Sequence, residues 1–231
     1  MNNIAIITAR GGSKRIPRKN IKLFCGKPII EYSIAAALES GLFNEVMVST
    51  DDEEIAEVAR HAGAHIPFMR SATTSNDYAT TSDVLCEVLE EYHKRGVAFD
   101  YMTCLYPTAP FVTADKLKTA MTLMLKAGAD SVIPVVQFSF PPQRCHVIHN
   151  GLLEMKWPEN LTVRSQDLEP LYHDCGQFYI TKVDAFLRCR QLLTPKTCPM
   201  ILPENEVQDI DNESDWKIAE IKYRLIRAEE R

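Results

Sequence analysis

Five cationic side chains, Arg10, Lys14, Arg15, Arg18 and Lys19, stand in the stretch Ala9-Arg10-Gly11-Gly12-Ser13-Lys14-Arg15-Ile16-Pro17-Arg18-Lys19-Asn20 of a chain whose formal net charge is -5. Positive charge concentrated on an acidic protein implies a local anionic ligand. Gly11, Gly12 and Ser13 allow backbone N–H groups to approach an anion closely. Arg10, Lys14 and Lys19 can add charge-assisted hydrogen bonds of about 1.5–3 kcal/mol each. The string matches neither the G-x-x-x-x-G-K-[ST] loop nor G-x-G-x-x-G, and a solvated basic loop is the competing reading. Position favours the phosphate reading, because the loop directly follows the apolar run Ile4–Ile7, and open α/β sheets bind ligands at the carboxyl ends of their strands.

A second group is Asp209-Ile210-Asp211. On extended backbone, side chains two apart share a face, so both carboxylates point the same way. A hard divalent cation relieves their repulsion, and magnesium needs only one or two carboxylates besides phosphate and water. The alternative is that Asp211 or Asn212 simply caps the last helix. Arg70, Asp77 and Thr81 could recognise a base or ribose, or could belong to a surface loop with an N-cap threonine. Tyr106-Pro107-Thr108-Ala109-Pro110 makes a rigid corner suited to a pocket floor or to a plain turn.

The elements that must position these groups alternate. Ile4–Ile7 is a strand buried on both faces. Pro28 suits a first helical position before Ile30, Ile34, Ala37 and Leu38, with Gly41 as the stop. Val46–Val48 is a strand. Asp51 with Glu54 resembles a capping box ahead of Ile55, Val58, Ala59 and Ala62. A short strand near Ile66–Phe68 is expected, then a polar loop from Arg70 to Thr80, then a helix with Val84, Leu85, Val88, Leu89 and Tyr92 on its apolar face. Tyr101–Leu105 and Ser131–Val136 are strands around a helix capped by Thr113 and stopped by Gly128. From about Phe138 to Asp174 the rhythm breaks into an insertion, with Asn150-Gly151 as a hairpin turn. Phe178–Ile180 is a strand. A final helix carries Ile218, Ile221 and Leu225 as its apolar face and is capped near Asn212. This order implies an α/β fold with a mostly parallel sheet flanked by helices, in one domain over 1–231.

Composition excludes several classes. With 45% hydrophobic and 25% charged residues the chain is an ordinary globular protein. Its acidic balance argues against nucleic-acid or membrane partners. No apolar run approaches a membrane span and no signal segment opens the chain, so a soluble, cytoplasmic protein is expected. The seven cysteines form no C-x-x-C pair, which fits reduced thiols rather than a disulfide framework or zinc site.

The opening motif resembles that of the cytidylyltransferases that activate sialic-acid-like sugars. Val48-Ser49-Thr50-Asp51, Tyr106-Pro107-Thr108-Ala109-Pro110, Cys175-Gly176-Gln177-Phe178-Tyr179 and Asp209-Ile210-Asp211 follow in the family's order, along essentially the whole chain. Arg15, Cys104-Leu105-Tyr106-Pro107 and Asp174 through Tyr179 look most like the branch acting on pseudaminic acid; relatives acting on N-acetylneuraminic or legionaminic acid usually carry glycine at the Arg15 position and glutamine at the Tyr106 position.

The resemblance implies a nucleotide-diphospho-sugar-transferase-like fold and transfer of CMP from CTP to a nine-carbon 2-keto sugar acid, with Mg2+ as cofactor. By it, Arg10, Lys14, Lys19 and Asn20, with Gly11, Gly12 and Ser13, correspond to the triphosphate loop. Arg70, Ala79 and Thr81 frame cytosine, and Asp209 and Asp211 hold the metal; Arg10, Lys14, Lys19, Asp209 and Asp211 carry the catalysis. Tyr106 and Gln177 fall where sugar is read, and Arg144, Arg164 and His173 are candidates for its carboxylate. The insertion at 138–174 corresponds to an arm that exchanges between subunits of a homodimer. The alternatives are an N-acetylneuraminate or legionaminate synthetase, an enzyme using another nucleoside triphosphate, and a catalytically silent nucleotide-binding protein on the same fold.

Overall fold

Ala5 and Ile7 belong to one buried hydrophobic cluster and Ile4 and Ile6 to another, so the first strand, β1 (Asn3–Thr8), is covered on both faces. That is the burial a continuous apolar run requires. The computed structural model describes residues 1–229. The chain runs from β1 through a short hairpin, β2 (Leu23–Phe24) and β3 (Lys27–Pro28), into α1 (Ile30–Ser40), β4 (Glu45–Ser49), α2 (Glu53–His61), α3 (Thr81–Lys94), β5 (Tyr101–Leu105), α4 (Ala114–Ala127) and β6 (Ser131–Gln137). It continues through a second hairpin, β7 (His146–His149) and β8 (Leu152–Met155), to β9 (Tyr172–Asp174), β10 (Phe178–Lys182), α5 (Val183–Cys189), β11 (Thr197–Ile201) and α6 (Glu213–Glu229).

The main sheet has the order β11-β6-β10-β5-β1-β4, with β9 paired to β6. β1 is parallel to β4 and β5, and β11 to β6. β10 enters antiparallel between β5 and β6. The sheet is thus mostly parallel, with helices on both faces: α1, α2 and α4 pack through Ile34, Ile55 and Leu117 on one side, and α3 through Leu85, Val88 and Leu89 on the other. No helix among the described residues is long and apolar enough to cross a membrane.

Several local expectations change. Only His65 bridges to Met47 where a strand near Ile66–Phe68 was expected. His65 N–H donates to the Val46 carbonyl at 2.8 Å and its carbonyl accepts from Val48 N–H at 3.0 Å; the next donor in that register is Pro67, which has none. Pro28 lies in β3, and α1 begins two residues later. The cap of α2 is Asp52, whose carboxylate accepts from Ile55 N–H at 3.0 Å, and not Asp51. The cap of α3 is Thr80, in a reciprocal box with Asp83, which leaves Thr81 in the first turn. In α6 the apolar stripe Ile218, Ile221 and Leu225 faces solvent; the buried side is Trp216 and Ala219, because the aromatic Trp216 packs on Phe24. The residue pattern predicts neither α5 nor β9 nor β11, which the fold adds.

Other signals hold. Thr113 caps α4 and Gly128 ends it in the left-handed region (φ 60). Asn150 (φ 51) and Gly151 (φ 80) make the two-residue turn between β7 and β8. The Asn212 side chain accepts from the Ser214 and Asp215 N–H groups at the start of α6.

Candidate active site

β1, β4 and β5 end side by side at Thr8, Ser49 and Leu105. Beyond these carboxyl ends lies a cleft of about 650 Å³, walled by the 10–20 loop, the 70–81 segment, the Tyr106-Pro107-Thr108 corner and the 209–211 segment. The basic loop and the two carboxylates, 190 residues apart in the chain, therefore share one cavity.

A buried apolar cluster brings them together. Ile16 of the loop, Phe24 of the β2–β3 hairpin, Ile210, and Trp216 and Ala219 of α6 pack in it. Ile210 is 1% exposed. Its neighbours on extended backbone project to the opposite side, and both Asp209 and Asp211 line the cleft. Lys19 locks the arrangement by donating from Nζ to the Ile210 carbonyl at 2.7 Å. Burial pushes the Lys19 ammonium below its ordinary range, against the pull of Asp211 and Asp209.

Four of the five loop cations, Arg10, Lys14, Arg15 and Lys19, line the cleft. Arg18 turns away and pairs with Asp52 and Glu54 at the start of α2. Arg15 Nη1 lies 2.7 Å from Asp211 Oδ2. Asn20 is buried and donates to the Arg10 carbonyl at 2.9 Å. Arg70, 8% exposed, donates from Nε to Ser49 Oγ at 3.0 Å and from Nη2 to the Ser49 carbonyl at 2.5 Å. Burial lowers its guanidinium pKa, and Asp51 and Glu87 oppose that shift. Ser13, Ala79, Thr81 and Tyr106 also line the cavity. The Tyr106 phenol is pushed up by burial, and its ring stacks edge-on against Tyr179 at 5.6 Å.

Gly11 and Gly12 stand outside the lining. The Gly11 N–H donates to Asp51 Oδ1 at 2.9 Å, and a Cβ there would sit 2.7 Å from Asp52 Oδ2. Its glycine character is thus explained by the close approach of the α2 N-terminus. Ser13 uses its hydroxyl on the Ile16 carbonyl at 2.6 Å. Gln177 is buried and donates to the Glu206 carbonyl, away from the cleft. Arg144, Arg164 and His173 do not reach it within one chain: Arg144 donates to the Val163 carbonyl, Arg164 pairs with Asp167, and His173 packs on Phe138.

Sequence reasoning passed over the tie from Asp51 to Gly11 and the anchoring of the 71–74 turn by Glu87, which accepts from Ser71 N–H at 2.7 Å, Ser71 Oγ at 2.8 Å and Thr74 Oγ1. Glu87 falls one residue before Val88 on α3, so only its position one turn beyond the Thr80–Asp83 cap signalled a role.

Chemically, the cleft carries five cations, Arg10, Lys14, Arg15, Lys19 and Arg70, against three acids, Asp77, Asp209 and Asp211. Among the described residues its lining holds no histidine, cysteine or glutamate. Such a site stabilises developing negative charge rather than forming covalent intermediates. Two carboxylates alone are too few for a dedicated metal cage, and no group of three or more His, Cys, Asp or Glu that could hold a metal occurs among the described residues. The hard oxygen pair does fit magnesium, which completes its shell with phosphate and water.

The cytidylyltransferase family model matches residues 4–167. The pseudaminic acid cytidylyltransferase of Campylobacter jejuni is 42% identical over 97% of each chain. The CMP-N,N'-diacetyllegionaminic acid synthase of Legionella pneumophila is 32% identical over 95% of each. Among solved structures, CMP:2-keto-3-deoxy-manno-octonic acid synthetase complexed with CTP superposes with a TM-score of 0.68, at 18% identity, over 99% of this chain and 100% of that one. The cleft and these matches together place this chain in the cytidylyltransferase family.

Proposed function

We propose that this chain transfers CMP from CTP to the anomeric hydroxyl of a nine-carbon 2-keto sugar acid, pseudaminic acid, releasing pyrophosphate. The observation that carries the reading is the convergence of Arg10, Lys14 and Lys19 with Asp209 and Asp211 on one cleft at the carboxyl ends of parallel strands. The relative at 42% identity supports the choice of sugar.

The hydroxyl oxygen attacks the α-phosphorus, the bond to the bridging oxygen of the β-phosphate breaks, and pyrophosphate leaves with the electron pair; the hydroxyl proton passes to solvent. Such a transfer needs alignment and charge neutralisation more than covalent help. Arg10, Lys14 and Lys19 bind the triphosphate, with Asn20 fixing the backbone of Arg10. Arg70, Ala79 and Thr81 frame cytosine, and Tyr106 lies on the sugar side. Asp209 and Asp211 would hold magnesium, which would supply neutralisation of phosphate charge and a lower pKa for the attacking hydroxyl.

The protein acts as a homodimer in the cytoplasm, its arm completing the partner's cleft and bringing Arg144, Arg164 or His173 to the sugar carboxylate. Incubation with CTP, UTP or GTP, magnesium and a panel of sugar acids, read by mass detection of the nucleotide product, tests the reading. A CMP adduct of pseudaminic acid is the expected product. CTP binding without turnover of any sugar acid would leave only a nucleotide-binding protein.

A further inference from the structure

Asp77 is an acid set among cations. Its Oδ1 accepts from Arg10 Nη1 at 3.0 Å and its Oδ2 from Lys14 Nζ at 2.5 Å. Arg10 Nη1 also reaches the Asn76 carbonyl at 3.4 Å. One carboxylate therefore accepts from two cations that line the cleft. Lys14, and secondarily Arg10, hold the Asp77 carboxyl below the usual range, so it is charged at neutral pH.

The loop bearing Asp77 is built to present it. At one end Glu87 clamps Ser71 and Thr74. At the other, Thr80 and Asp83 form their reciprocal cap. Between them Asn76 Oδ1 accepts from the N–H groups of Tyr78 and Ala79. The ion pairs themselves are open to solvent: the Asp77 side chain is 48% exposed and that of Lys14 78%. Exposed pairs of this kind are weak and screened by salt, so a more highly charged anion can replace them.

Resting on the reading that this cleft takes a nucleoside triphosphate, we propose that Asp77 is an internal competitor for the phosphate subsite. Without a polyphosphate, its carboxylate offsets one of the two positive charges of Arg10 and Lys14. A polyphosphate displaces it, and it returns as pyrophosphate departs. The device selects by phosphate charge: a triphosphate or pyrophosphate outcompetes the carboxylate, whereas the single phosphate retained in a CMP product does not. Asp77 thereby weakens the hold on polyphosphate and speeds the departure of pyrophosphate, and leaves the binding of a CMP product unaltered.

The test uses inorganic tripolyphosphate, which carries neither base nor sugar. Calorimetric titration of the full chain, magnesium-free and at low salt, is compared for the wild type, Asp77→Asn and Asp77→Ser. Both substitutions should tighten tripolyphosphate binding about threefold to tenfold, and the gap should close at high salt. CMP affinity should stay unchanged, and inhibition by pyrophosphate should strengthen by a similar factor. Equal or weaker tripolyphosphate binding in folded variants, or none in any of the proteins, overturns the proposal; weaker binding would make Asp77 a residue that holds Arg10 and Lys14 in place. CTP turnover by the wild type is followed in parallel. Turnover with unaltered tripolyphosphate affinity sinks the competitor and spares the functional reading; tightened affinity without turnover does the reverse.

Discussion

The cleft and the arm between β6 and β9 are built on opposite principles. Each cation of the cleft has an internal partner: Arg10 and Lys14 on Asp77, Arg15 on Asp211, Lys19 on the Ile210 carbonyl and Arg70 on Ser49. Ser49 and Ile210 belong to or adjoin buried elements, and Asp77 is presented by a hydrogen-bonded loop, all within a single chain. In the arm, β7 and β8 pair with each other and with no other strand among the described residues. Ile148, Leu152, Leu153 and Leu161 are about 70% exposed. Apolar side chains gain their roughly 1.5–3 kcal/mol only when covered. The comparison teaches that the cations of the cleft are paired within one chain, while the arm leaves large apolar side chains exposed.

The sharpest way to break this contrast is at Asp211. Asp211→Ala should lower pyrophosphate release by about 10²-fold or more, through loss of metal-assisted neutralisation, with circular dichroism unchanged because the side chain is 40% exposed. Retained turnover would remove the carboxylate from the mechanism. Next, Arg10→Ala should raise the KM for CTP about tenfold, the loss of one charge-assisted contact; an unaltered KM would mean the loop does not read phosphate.

On the arm, replacing Leu153 with Glu should shift sedimentation toward a monomer, leaving the thermal midpoint of the subunit within a few degrees, since exposed positions contribute little to the fold. A wild type that already sediments as a monomer would end the pairing proposal. The smallest effect belongs to Asp52, which caps α2 and pairs with Arg18. Asp52→Ala should cost about 1 kcal/mol in denaturant unfolding. Arg18 chiefly depresses the Asp52 pKa from 3.8, so that contribution is present above the ordinary carboxylate value and fades as pH falls through the lower folded value. Wild type and variant should therefore converge in acid; a gap that widened there would contradict the assignment.

The single-residue turn chemistry was legible wherever a local cause decides: Gly41 and Gly128 as helix stops, Thr113 as a cap, Asn150-Gly151 as a turn. It was misread where two adjacent residues compete for one role. Asp51 and Asp52 are both able to cap, and only the packing of the 10–20 loop gives Asp51 to Gly11 and leaves Asp52 to the helix. The stripe on α6 was misread for a related reason: periodicity finds an apolar face without saying which of two faces meets the core, and the Trp216–Phe24 contact chose the other.

From the sequence alone came the kinds of chemistry available: a glycine-bearing cationic loop after a buried strand, and paired carboxylates on either side of an isoleucine. Those follow from residue type, charge and the two-residue period of extended backbone, all local. Tertiary structure alone decided that Ile16 and Ile210 enter one buried cluster, that four loop cations face the cleft while Arg18 leaves it, and that Asp77 occupies Arg10 and Lys14. These are contacts between segments far apart in the chain, and their energies depend on which surfaces the folded sheet and helices bring together.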